Sequence, residues 1–386
     1  SDHLDMLGPE LYSNFNKTRQ VAGEGLVVKF RNTTGPWRIR RRPLTQRPWS
    51  SNTYLLPKVW YKAHIIQLRQ GDIDQLKKFV NSFVFADQYE KPRDVSKYRG
   101  CKEGGLGMHN IECKAAAMLC KTFMELACSD KFRQSLLYNA MYQYYILEDT
   151  SLPDPGLLKP YRFGTIEKIK LAREKGENIT SMDSAAWYKF FLNQNVLNKE
   201  ELDGDILSSV RIPCPSEEKQ PYLDWDRIWS LARQKGLSND ARSFLFLLLN
   251  NLLLTRERKN KVTRNTPSAE CAHCQTGLVD SSLSHTFSNC PFTEEVTGWL
   301  LAKIRTIDPQ ISPDDLTRLQ FEVFNEEDGL IATWLIAEAL AYAWSRRQND
   351  RPILIEEMKN ILRTKASFMA ASSRFASAGK KLSNII

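Results

Sequence analysis

Three cysteines and one histidine between residues 271 and 290 have the residue types and spacing of a metal site. Two residues separate Cys271 from Cys274, ten separate Cys274 from His285, and four separate His285 from Cys290. Three thiolates and one imidazole complete a tetrahedral zinc site and leave no open position for a catalytic water, so we predict a structural zinc ion. His273 lies inside the Cys-x-x-Cys turn, where it is a poor ligand. The alternative is an unliganded loop in which these residues coincide by chance.

Positive charge is concentrated in two segments. Of the net charge of +9, residues 1–60 contribute ten Lys and Arg against four acids, and residues 251–265 contribute five against one. Guanidinium groups pair with phosphates and aromatic rings stack on unpaired bases. We therefore predict nucleic-acid contacts in both segments. The alternatives are a solvated loop or a nuclear-localisation patch. The predicted contacts are Trp37, Arg38, Arg40, Arg41, Arg42 and Arg47 in the first segment, and Arg256, Arg258, Lys259, Lys261 and Arg264 in the second.

Three other motifs have ordinary explanations. Gly104–Gly107 lacks the Lys-Ser/Thr of a phosphate-binding loop and follows no strand pattern, so it predicts a tight turn with positive φ. Phe85-Ala-Asp-Gln88 offers one carboxylate where a two-metal polymerase turn needs two. Ser312-Pro-Asp-Asp315 fits the start of a helix better than a nuclease motif. No catalytic residue is therefore predicted.

The elements that must position these residues are predicted to be helices. Apolar residues recur at three- and four-residue spacing and strand alternation is almost absent, which predicts an all-α fold with one metal knuckle. Pro57 should bend its helix or start a second one. Gly236 should end one helix, and Ser238 or Asp240 should cap the next. The predicted helices are 50–68, 73–83, 111–127, 136–146, 185–197, 225–235, 244–254, 292–304, 329–347 and 353–368.

Length and composition limit the class of protein. The 386 residues allow two or three domains, and 42% hydrophobic with 26% charged residues is typical of a globular protein. We predict a helical region at 1–105, a helical linker region at 106–237, and a zinc-binding domain at 238–386 with its knuckle at 271–290. No apolar run reaches membrane-spanning length. Eight irregularly spaced cysteines indicate a reducing compartment, and the five outside the cluster should be unpaired. Because residue 1 is Ser, we expect it to mark a fragment boundary.

These motifs, in this order, resemble the C-terminal part of the open reading frame two protein of LINE-type (non-LTR) retrotransposons. Trp37 to Arg47 and Asn52 to Ala63 resemble the helical thumb, and Lys102 to Ala115 resembles the glycine block that ends it. One departure is that Pro43-Leu-Thr-Gln-Arg-Pro48 replaces the usual Leu-Ser-Leu-x-Gly-Arg, which should shorten that helix. The reverse-transcriptase zinc-binding domain is matched by Phe244 to Thr255, Cys271, His285 to Cys290, Trp299, Trp334 and Trp344 to Arg347.

The resemblance implies a nucleic-acid-binding part of an RNA-directed DNA polymerase that copies its transcript at a nicked target. The palm with its paired aspartates would lie upstream of Leu4, so this chain would hold no catalytic residue. Its partners would be the transcript, the target DNA and the upstream polymerase domain, in the nucleus with a cytoplasmic ribonucleoprotein stage. The family's zinc ligands would be Cys271, Cys274, His285 and Cys290, and its thumb contacts Trp37, Arg38 and Arg47. The alternatives are a domesticated, zinc-stapled protein-interaction module and a chain that itself acts as polymerase or nuclease.

Overall fold

A computed structural model describes the protein at residues 3–4, 11–12, 14–39, 42–85, 92–128, 165–197, 225–250, 252–263, 270–271, 273–274, 285–307, 309, 326–349, 351–373 and 375–386. Within these ranges the fold is helical, which confirms the all-α prediction. The only strands described are β1 (His3–Leu4) and β2 (Leu11–Tyr12), which form a two-residue antiparallel pair. No helix in the described part of the chain is long and apolar enough to cross a membrane.

The described α-helices are numbered in chain order. Two π-helical turns, at Ser51–Leu55 and His285–Asn289, are also described. The helices are α1 Phe15–Ile39, α2 Arg47–Ser50, α3 Pro57–Ala63, α4 Gln70–Val84, α5 Asp94–Tyr98, α6 Ile111–Cys128, α7 Glu167–Glu174, α8 Ser184–Asn195, α9 Trp225–Ala232, α10 Asn239–Leu249, α11 Arg256–Thr263, α12 Pro291–Ile304, α13 Glu326–Gln348, α14 Ile355–Ala371 and α15 Ala376–Ile385.

The N-terminal helices α1 to α4 pack around one apolar core. Phe30 of α1, Leu56 before α3 and Leu76 of α4 are almost completely buried in it. The repeat of apolar residues at 73, 76, 80 and 83 gives α4 one buried face, as its spacing predicts. Pro57 occupies the first turn of α3, where its missing N–H costs no hydrogen bond, so it starts a second helix rather than bending the first.

Helices α6, α7 and α8 form a second, smaller core. Trp187 is fully buried and stacks on Phe191, with ring centroids 5.7 Å apart. The Asp183 carboxylate accepts hydrogen bonds from the N–H groups of Ala185 and Ala186, which caps the start of α8. The cap and the apolar face explain why this helix could be predicted from the sequence.

The C-terminal helices α9, α10 and α12 to α15 share the largest core. Residues 331–340 of α13 are all buried, so this helix is surrounded by protein on every side. Helix α10 joins two cores because Phe244 and Leu248 face α13, whereas Phe246 packs among the N-terminal helices. Helix α9 belongs to this C-terminal core, although residues 225–232 fall within the predicted linker region.

The glycine block 104–107 forms the turn that receives α9. Gly104 has φ of 82° and Gly107 has φ of 63°, which confirms the predicted positive-φ turn. A Cβ on Gly104 would overlap the Trp229 indole. The guanidinium of Arg233 also donates to the Gly105 carbonyl. The glycines therefore let the C-terminal helix α9 approach the turn that follows the N-terminal helices.

Several predictions about elements were wrong or lie outside the described residues. Residues 15–39, including the start of the basic segment, form the long helix α1, whereas no helix was predicted there. The helix predicted to be capped at Ser238 or Asp240, with its apolar face at 244–254, spans Asn239–Leu249, so it begins as predicted and ends five residues earlier. Helix α15 was also not predicted. The helix at 136–146, the connectors at 150–160 and 213–221, and the Ser312–Asp315 motif all fall outside the described part of the chain.

Candidate metal centre and nucleic-acid interface

The four predicted ligands meet in one buried cluster. One side-chain donor atom from each of Cys271, Cys274, His285 and Cys290 lies within 4.8 Å of all the others. The sulfurs of Cys271 and Cys290 are 3.8 Å apart, and Cys274 Sγ is 3.5 Å from His285 Nε2. All four residues are buried. The cluster is compatible with a single metal ion held by three sulfurs and one nitrogen.

Two local structures place His285 and Cys290. His285 begins the π-helical turn, and Cys290 is the N-cap residue of α12, with Pro291 in the first turn. The Thr293 hydroxyl donates to the carbonyls of Thr286, at 2.9 Å, and Cys290, at 3.1 Å, so it ties the turn to the helix. A helix N-terminus carries partial positive charge, which favours a thiolate at Cys290.

The pKa values of Cys271 and Cys290 shift in opposite directions. Burial alone would raise the pKa of Cys271, but hydrogen bonds from His285 and from the backbone N–H groups of His273 and Cys274, with the charge of Arg347, lower it to about 6. At Cys290 burial dominates over the hydrogen bond from Arg347 and raises the pKa. Backbone N–H groups directed at the first sulfur of a Cys-x-x-Cys turn stabilise its thiolate, which is the form that binds a metal.

Arg347 of α13 also contacts the cluster. Its Nη2 lies 3.0 Å from Cys271 Sγ and its Nη1 lies 3.4 Å from Cys290 Sγ. Sequence analysis matched Arg347 to the closing helix of the zinc-binding domain but did not predict this contact. No spacing rule could have found it, because the packing of α13 brings together positions 57 residues apart.

Aromatic residues lie close to the cluster, and Phe292 packs against it. Phe287, between two of the candidate ligands in the chain, belongs to the neighbouring C-terminal core, 5.8 Å from the Phe244 ring and 6.0 Å from the Trp344 ring. Trp299 is partly buried against the same C-terminal core. His273 stacks on Phe292 with centroids 4.2 Å apart and stands outside the ligand group, as predicted.

In the first basic segment, the structure describes an exposed group of aromatic rings beside one arginine. Trp37, at the end of α1, stacks on Tyr54 with centroids 5.0 Å apart, and Trp49 meets Tyr54 edge-on at 5.6 Å. The Arg42 guanidinium lies over the Trp37 ring, 5.1 Å from its centroid. Trp49 and Tyr54 are 56% and 45% exposed. We call these four residues the aromatic platform. Tyr54 was not among the predicted contacts.

The arginines of this segment have different surroundings. Arg47 donates through Nε to the Arg42 carbonyl, at 2.7 Å, and through Nη1 to the Val84 carbonyl, at 3.1 Å, so it links α2 to the end of α4. Arg42 also donates to the Ser50 hydroxyl, at 2.8 Å. Arg38 lies in α1 and its side chain is not described, while Arg40 and Arg41 lie outside the described residues.

The second basic segment is helix α11. Arg256, Arg258, Lys259 and Lys261 lie on it, while Arg264 falls outside the described residues. Lys261 pairs with Glu257 at 2.6 Å and is exposed. The Gln348 amide, next to Arg347, donates to the Leu254 carbonyl at 3.0 Å. The end of α13 therefore contacts both the metal cluster and the segment that leads into α11.

No protein-family model and no curated protein sequence matches this chain. The resemblance to LINE-type reverse transcriptases consequently depends on the motifs themselves.

Proposed function

We propose that this chain is a zinc-stapled, nucleic-acid-binding region equivalent to the thumb and zinc-binding domain of a LINE-type reverse transcriptase. It would hold RNA template or target DNA during target-primed reverse transcription. The observation that carries the proposal is the buried cluster of three cysteines and one histidine, with basic helix α11 preceding it in the chain. The order of thumb segment, glycine block and zinc block supports the family. The catalytic palm would belong to the upstream polymerase domain.

Zinc is the metal that the donor set and the spacing favour. With Zn–S bonds of about 2.3 Å and Zn–N bonds of about 2.0–2.1 Å, a regular tetrahedron places two sulfurs about 3.8 Å apart and a sulfur and a nitrogen about 3.5 Å apart. The separations Cys271 to Cys290 and Cys274 to His285 are 3.8 Å and 3.5 Å. Soft thiolates in tetrahedral geometry select zinc over hard cations, and a full set of protein ligands makes its role structural.

The aromatic platform and α11 supply two kinds of nucleic-acid contact. Exposed rings with an adjacent guanidinium suit unpaired bases, because any base presents a π face and stacking does not depend on sequence. The cations of α11 suit phosphates, which bind by charge and release counterions. Together they favour a single-stranded or structured RNA, or a nicked DNA, over a small molecule.

Fluorescence anisotropy with a labelled RNA stem-loop, a matching DNA duplex and a single strand would test the proposal at two salt concentrations. We expect binding that weakens steeply with salt, since each neutralised phosphate adds about 0.9 to the log–log slope on duplex DNA. Trp49→Ala should weaken single-strand binding about 5- to 100-fold, the effect of losing one stacked base worth about 1–3 kcal/mol. Replacing Arg256 and Lys259 with Gln should lower the salt slope by up to about 2.

Matched substitutions away from the two surfaces serve as controls. Phe368→Ala removes a more exposed ring, 73% accessible, on α14, and Lys380→Gln removes an exposed charge on α15. Neither should change affinity beyond about twofold, the range of ordinary surface substitutions. Absence of binding at low salt would contradict the proposal and favour the protein-interaction module.

A further inference from the structure

Arg347 is a buried cation whose guanidinium is directed at the candidate metal cluster. Arg347 is only 5% exposed and is the second-last residue of α13, in its last turn. Its two terminal nitrogens approach different sulfurs, at 3.0 Å from Cys271 Sγ and 3.4 Å from Cys290 Sγ. Such a forked contact needs the planar guanidinium, because a lysine ammonium is a single point of charge.

The charge of the cluster explains why a cation belongs there. Three thiolates around one divalent ion leave one net negative charge when the imidazole is neutral. A buried charge without compensation costs several kcal/mol, and this applies both to the metal–thiolate group and to the guanidinium. Placed together, the two charges cancel within hydrogen-bonding distance.

We infer that Arg347 is a positioning residue of the zinc centre, which donates to two of the zinc-bound thiolates and balances their excess negative charge. The inference rests on the proposed zinc site. The end of α13 would thus stabilise the metal site, in addition to the packing of α13 in the apolar core. Removing a group that orients metal ligands commonly weakens metal affinity by about 10- to 100-fold.

The neighbouring Arg346 provides a matched control. It is in the same helical turn, pairs with Glu357 of α14, and lies over the Tyr342 ring at 5.2 Å, without any described contact to the four ligands. Arg347→Met removes the charge and both donors, and Arg347→Lys keeps the charge but not the fork. Arg346→Met makes the same chemical change one residue away.

The experiment measures metal affinity and the electronic state of the sulfurs in the full chain. Zinc competition with a chromogenic chelator should give about 10- to 100-fold weaker binding for Arg347→Met, an intermediate loss for Arg347→Lys, and a change within about twofold for Arg346→Met. With cobalt(II) in place of zinc, the sulfur-to-metal charge-transfer band should move to longer wavelength in Arg347→Met, because sulfurs that lose hydrogen bonds give up electrons more easily. Circular dichroism at saturating zinc confirms that each variant is folded.

Two failures are distinguishable. If the unaltered chain binds neither zinc nor cobalt(II) in a tetrahedral thiolate spectrum, the proposed zinc site is wrong. If it binds both but Arg347→Met matches Arg346→Met in affinity and in band position, Arg347 only packs against the cluster and the inference is overturned. An Arg347→Met chain that does not fold leaves Arg347→Lys, whose cobalt(II) band must then shift for the inference to stand.

Discussion

At the scale of single residues, His109 is a histidine that the fold keeps neutral. Its ring lies between Trp60 and Tyr188, with centroid distances of 6.1 Å and 5.7 Å. Its Nδ1 is buried and has no hydrogen-bond partner in the described part of the protein. Burial, followed by the positive charge of Lys114, lowers the pKa of His109 to about 4. The imidazolium form is therefore disfavoured while the chain is folded.

The consequence is a loss of stability in mild acid. An unfolded histidine has a pKa of about 6.5. Between pH 6.5 and about 4, His109 is therefore protonated in the unfolded chain but neutral in the folded chain. The contribution of neutral His109 to the free energy of unfolding is complete above pH 6.5. It is lost as the pH falls, by about 2 kcal/mol at pH 5. We predict that His109→Gln narrows the gap between urea midpoints at pH 7 and pH 5.

Acid release of the proposed zinc ion would also destabilise the chain, but equally in the unaltered and the substituted chains. His64→Gln is the comparison variant. Burial lowers the pKa of His64 as well, but its ring keeps a polar contact with the Thr122 hydroxyl at 3.2 Å and is less buried than that of His109, so its effect should be smaller. Parallel pH profiles for the unaltered chain and His109→Gln would show that His109 does not carry the effect.

The candidate site was predictable where chemistry fixes both residue type and spacing. The four cluster residues could be chosen from the sequence because metal ligation needs sulfur and imidazole at close intervals, and the structure brings these four together. Arg347 and Tyr54 could not be chosen, since their roles depend on how helices pack. Arg47 illustrates the reverse, because its guanidinium donates to two backbone carbonyls within the fold, whereas charge alone predicted a phosphate contact.

At the scale of elements, the glycine block determines how closely α9 can approach the turn after α5. Gly104 combines a φ of 82° with a Cβ position that the Trp229 indole already occupies. The Leu106 N–H donates to the Ser96 carbonyl at 2.9 Å, and the Asn52 amide donates to the Gly107 carbonyl at 2.7 Å. The glycine block is thus held by hydrogen bonds to the N-terminal helical region on one side and contacts α9 on the other.

Gly104→Ala should therefore destabilise the chain by both backbone strain and overlap. Gly176 is the matched control, because its φ of 80° is nearly the same but no atom lies near its Cβ position. We expect Gly176→Ala to cost about 1–2 kcal/mol from strain alone, and Gly104→Ala about 1–3 kcal/mol more from overpacking. Urea unfolding followed by circular dichroism measures both losses. Equal losses would mean that Trp229 moves aside without cost.

Helices with a clear apolar repeat or a cap were predictable, and the remainder were not. Ser238 caps α10 by accepting from the Ala241 N–H at 3.2 Å, as expected. Gly236 has φ of 105°, but α9 already ends at Ala232, so Gly236 does not end that helix as predicted. Helix α1 was missed because Gly23, Gly25, Gly35 and Pro36 weaken its intrinsic propensity. Its burial of Leu26 and Phe30 against α4 overrides that weakness, and this packing cannot be seen in the local sequence.

At the scale of the whole molecule, the candidate metal cluster is a small separate cluster that adjoins the largest core. Phe287, between two of the ligands, belongs to the same apolar core as α10 and α13. Arg347 and Gln348 at the end of α13 contact the cluster and the Leu254 carbonyl. Glu338 in the middle of α13 accepts from the Ser238 N–H and hydroxyl and pairs with Lys365, so it joins α13 to α10 and α14. Loss of the metal should therefore spread along α13.

We predict that chelation exposes amides well beyond the knuckle at 271–290. Structural zinc contributes about 10–16 kcal/mol to small zinc-binding peptides, so its removal should weaken every element that packs on the knuckle. Hydrogen exchange with and without chelator should show faster exchange in α12, the end of α13 and the start of α11, while α1 and α4 keep their protection because their core contains none of the ligands. Cys274→Ser should reproduce this pattern with zinc present, and Cys101→Ser, an exposed thiol outside the cluster, should not. Faster exchange limited to residues 271–290 would show that the knuckle is independent of α13, and equal loss across α1 and α4 would show that the chain unfolds as one unit.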